Sequence, residues 1–256
     1  MVKKKAPGST FDGDGNPRKR FYRARAHSNP LNDQYFPVPT RPQEYDWSLH
    51  FPKAFAKYEA SGEEGEEPLV RIADVGCGFG GLLLGLSPLF PDKLIVGMEL
   101  RDKVSEYVRE RIDNLRTKGD DYHNISCLRT NAQKFLPNYF RKGQLHKLFF
   151  LFPDPHFKAQ NHRRRIISHQ QLTEYAYLLE VGGVIYTITD VEELGTWMGS
   201  HLSGHPLFEP LSEEELAADP CADLINLATE EGQKVERNNG KTYRNVYRRI
   251  AGPHEN

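Results

Sequence analysis

Strands alternating with helices along the C-terminal three quarters of the chain predict an α/β fold. The sheet is expected to be mostly parallel, with helices on both faces and an antiparallel last strand. Three observations carry this. Short apolar runs at 69–75, 94–99, 125–129, 148–152 and 184–189 read as buried strands separated by helical segments. A glycine-rich turn follows the first run and opens a helix. The final stretch, 243–250, alternates apolar and charged residues with period two, as a strand with one wet face does.

Residues 1–45 are rich in Pro, Asn, Arg and Lys without periodicity and read as a basic arm with no core of its own. Residues 46–68 hold a short helical piece near 47–58 and an acidic linker, and 69–252 form the main domain. Within that domain, helices are expected over 80–86, 102–116, 169–179 and 191–201. The second is the clearest: Val104, Val108, Ile112 and Leu115 repeat at helical spacing, leaving Arg101, Arg109, Glu110 and Arg111 for the wet face. Gly182-Gly183 is expected to stop the third before the strand at 184–189. The region 204–240 is irregular apart from an acidic helix at 212–218.

The 256 residues, 38% hydrophobic and 27% charged, suit one globular domain with appendages and exclude disorder throughout. A net charge of -1 conceals segregation: residues 1–25 carry eight Lys/Arg against two Asp, whereas 59–67 carry five glutamates and no base. A basic arm serves solubility, localisation or nucleic-acid contact. Cys77, Cys127 and Cys221 are odd in number and widely spaced, which argues against a disulfide framework or a zinc knuckle. Neither an apolar leader nor a membrane-length run is present, so a soluble protein of nucleus or cytoplasm is expected.

The glycine turn reads Ile72-Ala-Asp-Val-Gly-Cys-Gly-Phe-Gly-Gly81. Such a turn lets a ligand approach the backbone at a helix N-terminus. Gly76, Gly78 and Gly81 fit the dinucleotide pattern of Rossmann-like folds; Gly76, Gly78 and Gly80, preceded by Asp74, fit that of S-adenosylmethionine enzymes. Glu99 ends the second strand where an acid accepts ribose hydroxyls, which both cofactors require. The absence of Tyr-x-x-x-Lys, and Thr130-Asn131-Ala132 placed for an adenine contact, favour the methyl donor over nicotinamide.

The fourth strand runs into Pro153-Asp-Pro155. Ligands bind beyond the carboxyl ends of parallel strands, so Asp154 falls beside the donor. The flanking prolines restrict the backbone and preorganise its carboxylate. Beyond it, residues 156–165 carry Lys158, Arg163, Arg164 and Arg165 and no acid, a platform for phosphates that favours RNA or DNA over a small molecule. His156, His162 and His169 lack the spacing of metal ligands, and no metal is expected.

Taken together these residues resemble the catalytic subunit of the eukaryotic tRNA (guanine-N7-)-methyltransferase family. The resemblance covers nearly the whole chain, including Arg25-Ala-His-Ser-Asn-Pro30, Asp46-Trp47, residues 73–81, Ser87-Pro-Leu-Phe-Pro-Asp92, residues 149–158, Arg165-Ile-Ile-Ser168, Tyr186-Thr-Ile-Thr-Asp190 and Thr229-Glu-Glu-Gly232. It implies a class I S-adenosylmethionine-dependent fold with a seven-stranded sheet, and methyl transfer to N7 of guanine 46 in the tRNA variable loop. It also implies a WD-repeat protein as noncatalytic partner in a heterodimer. A nuclear location, with the cytoplasm as second compartment, and no membrane association are expected beside it. By resemblance the donor contacts are Gly76, Glu99, Arg101, Asn131, Ala132, Leu151, Thr229 and Glu231, and the active-site acid is Asp154. Spacing alone makes Thr229 a helix N-cap and Glu231 a solvated first-turn acid.

Guanine N7 carries an in-plane lone pair, so neither a general base nor a protein nucleophile is needed; orientation, and a fixed carboxylate facing the nucleobase as it becomes cationic, are. Lys158, Arg163, Arg164 and Arg165 are expected to grip phosphates on one side, with Arg23, Arg25 and His27 of the arm closing from the other. Arg23-x-Arg25-x-x-Ser28 is a pattern basic-directed kinases prefer, and a phosphate on Ser28 would repel RNA. Competing readings are a methyltransferase for another RNA, a protein or a small molecule, and a nonenzymatic RNA-binding scaffold.

Overall fold

A computed structural model describes residues 9–24, 29–31, 36–62, 66–119, 121–238, 240–253 and 255. The strands are β1 (Val70–Val75), β2 (Leu94–Glu99), β3 (Ile125–Arg129), β4 (Leu145–Leu151), β5 (Leu179–Thr189), β6 (Phe208–Pro210) and β7 (Tyr243–Arg249). They form one sheet in the order β3-β2-β1-β4-β5-β7-β6. Pairings from β3 through β5 are parallel; β7 runs antiparallel to both β5 and β6. The expected fold class is thus the observed one, a seven-stranded mixed sheet. Strand order reverses between β1 and β4, where a crevice opens beyond their carboxyl ends.

The helices are α1 (Pro52–Ala60), α2 (Gly81–Leu89), α3 (Asp102–Arg116), α4 (Ala132–Tyr139), α5 (His169–Leu178), α6 (Glu192–Ser203), α7 (Glu213–Ala218), α8 (Pro220–Leu227) and α9 (Glu230–Arg237). Two apolar layers cover the sheet. One joins Leu136 of α4, Tyr175 of α5 and Met198 of α6 to Phe150; the other joins Leu83 of α2, Val108 of α3 and Ile225 of α8 to Phe149. The run at 148–152, expected as a buried strand, is covered on both faces: Phe149 stacks on Tyr186 at 4.4 Å while Phe150 packs on Tyr175 at 4.7 Å across the sheet.

One expectation is corrected and others are extended. Gly182 and Gly183 stop no helix, because α5 has already ended at Leu178. They lie inside β5, where Gly182 adopts φ +90° and the register against β4 shifts between Leu145 and Lys147, an irregularity that glycine permits. The irregular 204–240 region holds three short helices and the edge strand β6. The basic arm borrows a core: Tyr22 is buried against Tyr107 and its hydroxyl donates to Glu110 at 2.5 Å, while Asn114 donates to Asn16 at 2.7 Å, fastening residues 9–24 along α3. Cys77 and Cys127, far apart in sequence, meet with sulfurs 3.9 Å apart as buried free thiols. Among the described residues no helix is long and apolar enough to cross a membrane.

Candidate active site

β1 ends at Val75 and the chain turns sharply, held by the amides of Gly76 and Cys77, which both donate to the Met98 carbonyl of β2. Gly76 and Gly78 have φ +77° and +53°, and a Cβ at either would meet nothing within 4 Å. This backbone needs glycine for its conformation and leaves open space beside it. Gly81 is glycine for another reason: its Cβ would stand 2.0 Å from the Ala228 carbonyl oxygen, so α2 could not pack against the α8–α9 junction.

That junction brings Thr229 and Glu231 to the glycine turn. Together with Asp74, Gly76, Gly78 and Leu151 they line a cavity of about 150 Å³. Thr229 caps α9, accepting from the Gly232 amide at 3.0 Å, and Glu231 stands exposed, 3.4 Å from the Lys234 ammonium. Their solitary local roles are as the sequence suggests; their placement beside a turn 150 residues earlier is not readable from it. Asp74, which precedes the glycines of the turn, is 2% exposed, and burial followed by the charge of Glu99 pushes its carboxyl up to about 8.

Glu99 is buried at the end of β2 and accepts from the Gly78 amide at 3.2 Å. Arg101 grips it from the other side through its amide at 2.8 Å and two guanidinium nitrogens at 3.0 Å. Asn131 stands at the N-cap position of α4 without a side-chain cap bond, with Ala132 buried after it; its side-chain amide instead donates to the Pro30 carbonyl at 2.6 Å, tying the arm to this side of the crevice.

A second cavity, of about 190 Å³, shares Gly76, Leu151 and Phe152 with the first and extends to Asp154, His156 and Arg164. Asp154 is half-buried and accepts from the His156 amide at 3.2 Å. Phe152 and His156, bracketing Pro153-Asp154-Pro155, both have left-handed backbones, φ +50° and +46°. Such conformations cost about 1–3 kcal/mol each in non-glycine residues and persist only where surroundings impose them. A rigid turn thus presents one carboxylate at the mouth of the switch-point crevice.

The basic stretch divides. Lys158 and Arg163 are exposed, and Arg164 lines the cavity with Asp154, its Nε buried and without a partner. Arg165 contradicts its expected role as a phosphate grip. It is 1% exposed, and its guanidinium is occupied by Glu193 at 2.8 and 2.5 Å and by the Pro155 carbonyl at 3.0 Å. Its neighbours in sequence do not reveal this, because Glu193 comes from α6. His162 sides with Arg165 and Trp197, whereas His169 sits near His205. Among the described residues no group of three His, Cys, Asp or Glu could hold a metal. Arg23 is exposed; Arg25, His27 and Ser28 lie outside the described residues.

Residues 68–245 match the family described as "Putative methyltransferase". The chain is 65% identical over 248 residues to a tRNA (guanine-N(7)-)-methyltransferase of Zea mays, covering 94% of this chain and 97% of that one. It is 53% identical over 249 residues to the Mus musculus protein of the same name, covering 93% and 92%. The chain belongs to the tRNA (guanine-N(7)-)-methyltransferase family. A solved 16S rRNA methyltransferase, KamB, shares the fold at TM-score 0.50 and 16% identity, covering 84% of this chain and 98% of that one.

The family is S-adenosylmethionine-dependent, and the residues present fit that donor. The open backbone at Gly76 and Gly78 admits close approach, Asp74 and Glu231 line the cavity beside it, and Glu99 stands at the strand end hydrogen-bonded to the turn.

Proposed function

We propose that this chain methylates N7 of guanine 46 in the variable loop of tRNA, as the catalytic subunit of a heterodimer with a WD-repeat protein. The observation that carries the reading is the junction of the two cavities through Gly76, Leu151 and Phe152, which sets a single preorganised carboxylate, Asp154, beside the donor crevice. The names of the relatives support guanine N7 in tRNA as the acceptor.

Bound against Gly76, Glu99, Arg101, Asn131, Ala132, Leu151, Thr229 and Glu231, S-adenosylmethionine supplies an electrophilic methyl. N7 needs no deprotonation, so the reaction calls for no general base. The task of the chain is to hold the base in line, an effect of about 7–11 kcal/mol when orientation is complete. Asp154 faces the nucleobase, meeting its growing positive charge or accepting from N1-H and the 2-amino group. The guanine must leave its stack, at a cost of a few kcal/mol. Lys158, Arg163 and Arg164 offset that cost by holding phosphates, and Arg23, Arg25 and His27 of the arm add cations for further phosphates. A phosphate on Ser28 would oppose the RNA, so Ser28→Asp is expected to lose activity. The basic arm supports a nuclear location, with the cytoplasm as second compartment.

The test is to incubate the chain, with and without a WD-repeat partner, with labelled S-adenosylmethionine and total tRNA, followed by borohydride and aniline cleavage. Cleavage at the variable loop is expected. Label in protein or in small molecules, or RNA retention without label, would reject the proposal.

A further inference from the structure

Arg165 is among the largest fully buried side chains of the protein, and its burial places it behind the turn that carries Asp154. Pro155 has no amide hydrogen, so its carbonyl is its one polar backbone group, and the Nε of Arg165 donates to it at 3.0 Å. The other edge of the guanidinium meets Glu193 in a forked pair, Nη1 to Oε1 at 2.8 Å and Nη2 to Oε2 at 2.5 Å. Glu193 lies in the first turn of α6, where the helix dipole favours a carboxylate, and the hydrogen bond from Arg165 holds its carboxyl below the usual range. Trp197, one turn further on, lies under the guanidinium at 4.7 Å and is itself fixed by donating to the Ile167 carbonyl at 2.8 Å. The residue after Pro155 is His156, whose left-handed backbone must be imposed from outside.

We propose that Arg165, anchored by Glu193, is a positioning residue that sets the Asp154 carboxylate through the Pro155 carbonyl and contributes to methyl transfer by that route alone, without contacting RNA. The proposal rests on the reading that Asp154 meets the guanine. Only arginine can bridge both partners at once: a lysine ammonium lacks the planar fork.

A kinetic cycle tests it, using the full chain with the WD-repeat partner present. Arg165→Met is expected to lower kcat about 10- to 100-fold, since a small misplacement has that effect. The dissociation constants for RNA and donor should stay within about twofold. In the Asp154→Asn background the same substitution should change kcat by no more than about twofold, because its target is already disabled. Equal losses in both backgrounds would overturn the proposal, as a merely structural role predicts additivity. Weakened RNA binding at unchanged kcat would also overturn it and return Arg165 to phosphate contact. An Asp154→Asn enzyme with unaltered kcat would overturn the proposal, and one whose Michaelis constant for RNA is also unaltered would reject the reading of Asp154 as well; a slow one with additive losses rejects the positioning alone. Should Arg165→Met not fold, Glu193→Gln is read in the same cycle with the same criteria.

Discussion

The two halves of the crevice are built on different principles. On the donor side, backbone does the shaping: a glycine turn is pinned to β2 and pressed on the α8–α9 junction, and acidic groups are buried behind it. On the acceptor side a loop carries the carboxylate, two left-handed residues bracket it, and one buried arginine backs it. The donor side is therefore sensitive to added volume, and the acceptor side to the loss of a charge or of a single hydrogen bond.

The largest expected effect is Asp154→Asn, which keeps the shape and part of the hydrogen bonding but removes the charge. A fall in kcat of about 10²- to 10³-fold, with donor affinity unchanged, is expected from single-turnover kinetics and donor titration. A rise in the Michaelis constant for RNA at unchanged kcat would instead make the acid a selector of guanine and not a stabiliser of its cation.

Gly81→Ala sharpens the donor half. Overlap with the Ala228 carbonyl, a backbone atom that cannot swing aside, should lower stability by about 3 kcal/mol or more and weaken donor binding by displacing Thr229 and Glu231; thermal unfolding and donor titration measure both. Gly78→Ala meets open space, so its stability loss should be only the ~1–2 kcal/mol of a left-handed alanine. Equal losses in the two variants would break the distinction between close approach and backbone conformation.

Replacing Lys158 and Arg163 together by Ala tests the exposed part of the acceptor half. The slope of log affinity for tRNA against log salt should become shallower by about 1 to 2, with saturated turnover retained. An unchanged slope would remove them from the phosphate grip.

The smallest effect is a proton. Because its carboxyl is pushed up to about 8 by burial and by Glu99, Asp74 is protonated near pH 7 in the donor-free protein. A cationic donor favours the carboxylate, so binding at pH 7 should release up to about one proton, read by calorimetry in buffers of different ionisation heat. The sign for stability is fixed by the same raised value: the contribution of Asp74 is present in full below its ordinary 3.8 and is lost as pH rises through about 8. Asp74→Asn should accordingly stabilise the donor-free protein more at pH 9 than at pH 5.

Fold class, the glycine turn, Glu99 at the end of its strand and Asp154 between its prolines were all legible in the order of residues. These are local: a strand's apolar run, a turn's glycines and a proline's fixed dihedral act within a few residues of themselves. That order also determined the family, because many short motifs recur in order along one chain. Tertiary structure alone decided which charges face solvent. Arg163, Arg164 and Arg165 are equivalent as a string, yet one is exposed, one lines the cavity and one is buried on Glu193. It alone brought Thr229 to the glycine turn, joined Tyr22 to α3, and set Cys77 beside Cys127. The physical reason is range: a side chain's partner across the fold comes from sheet order and helix packing, and the burial that follows decides whether a guanidinium meets water or a carboxylate.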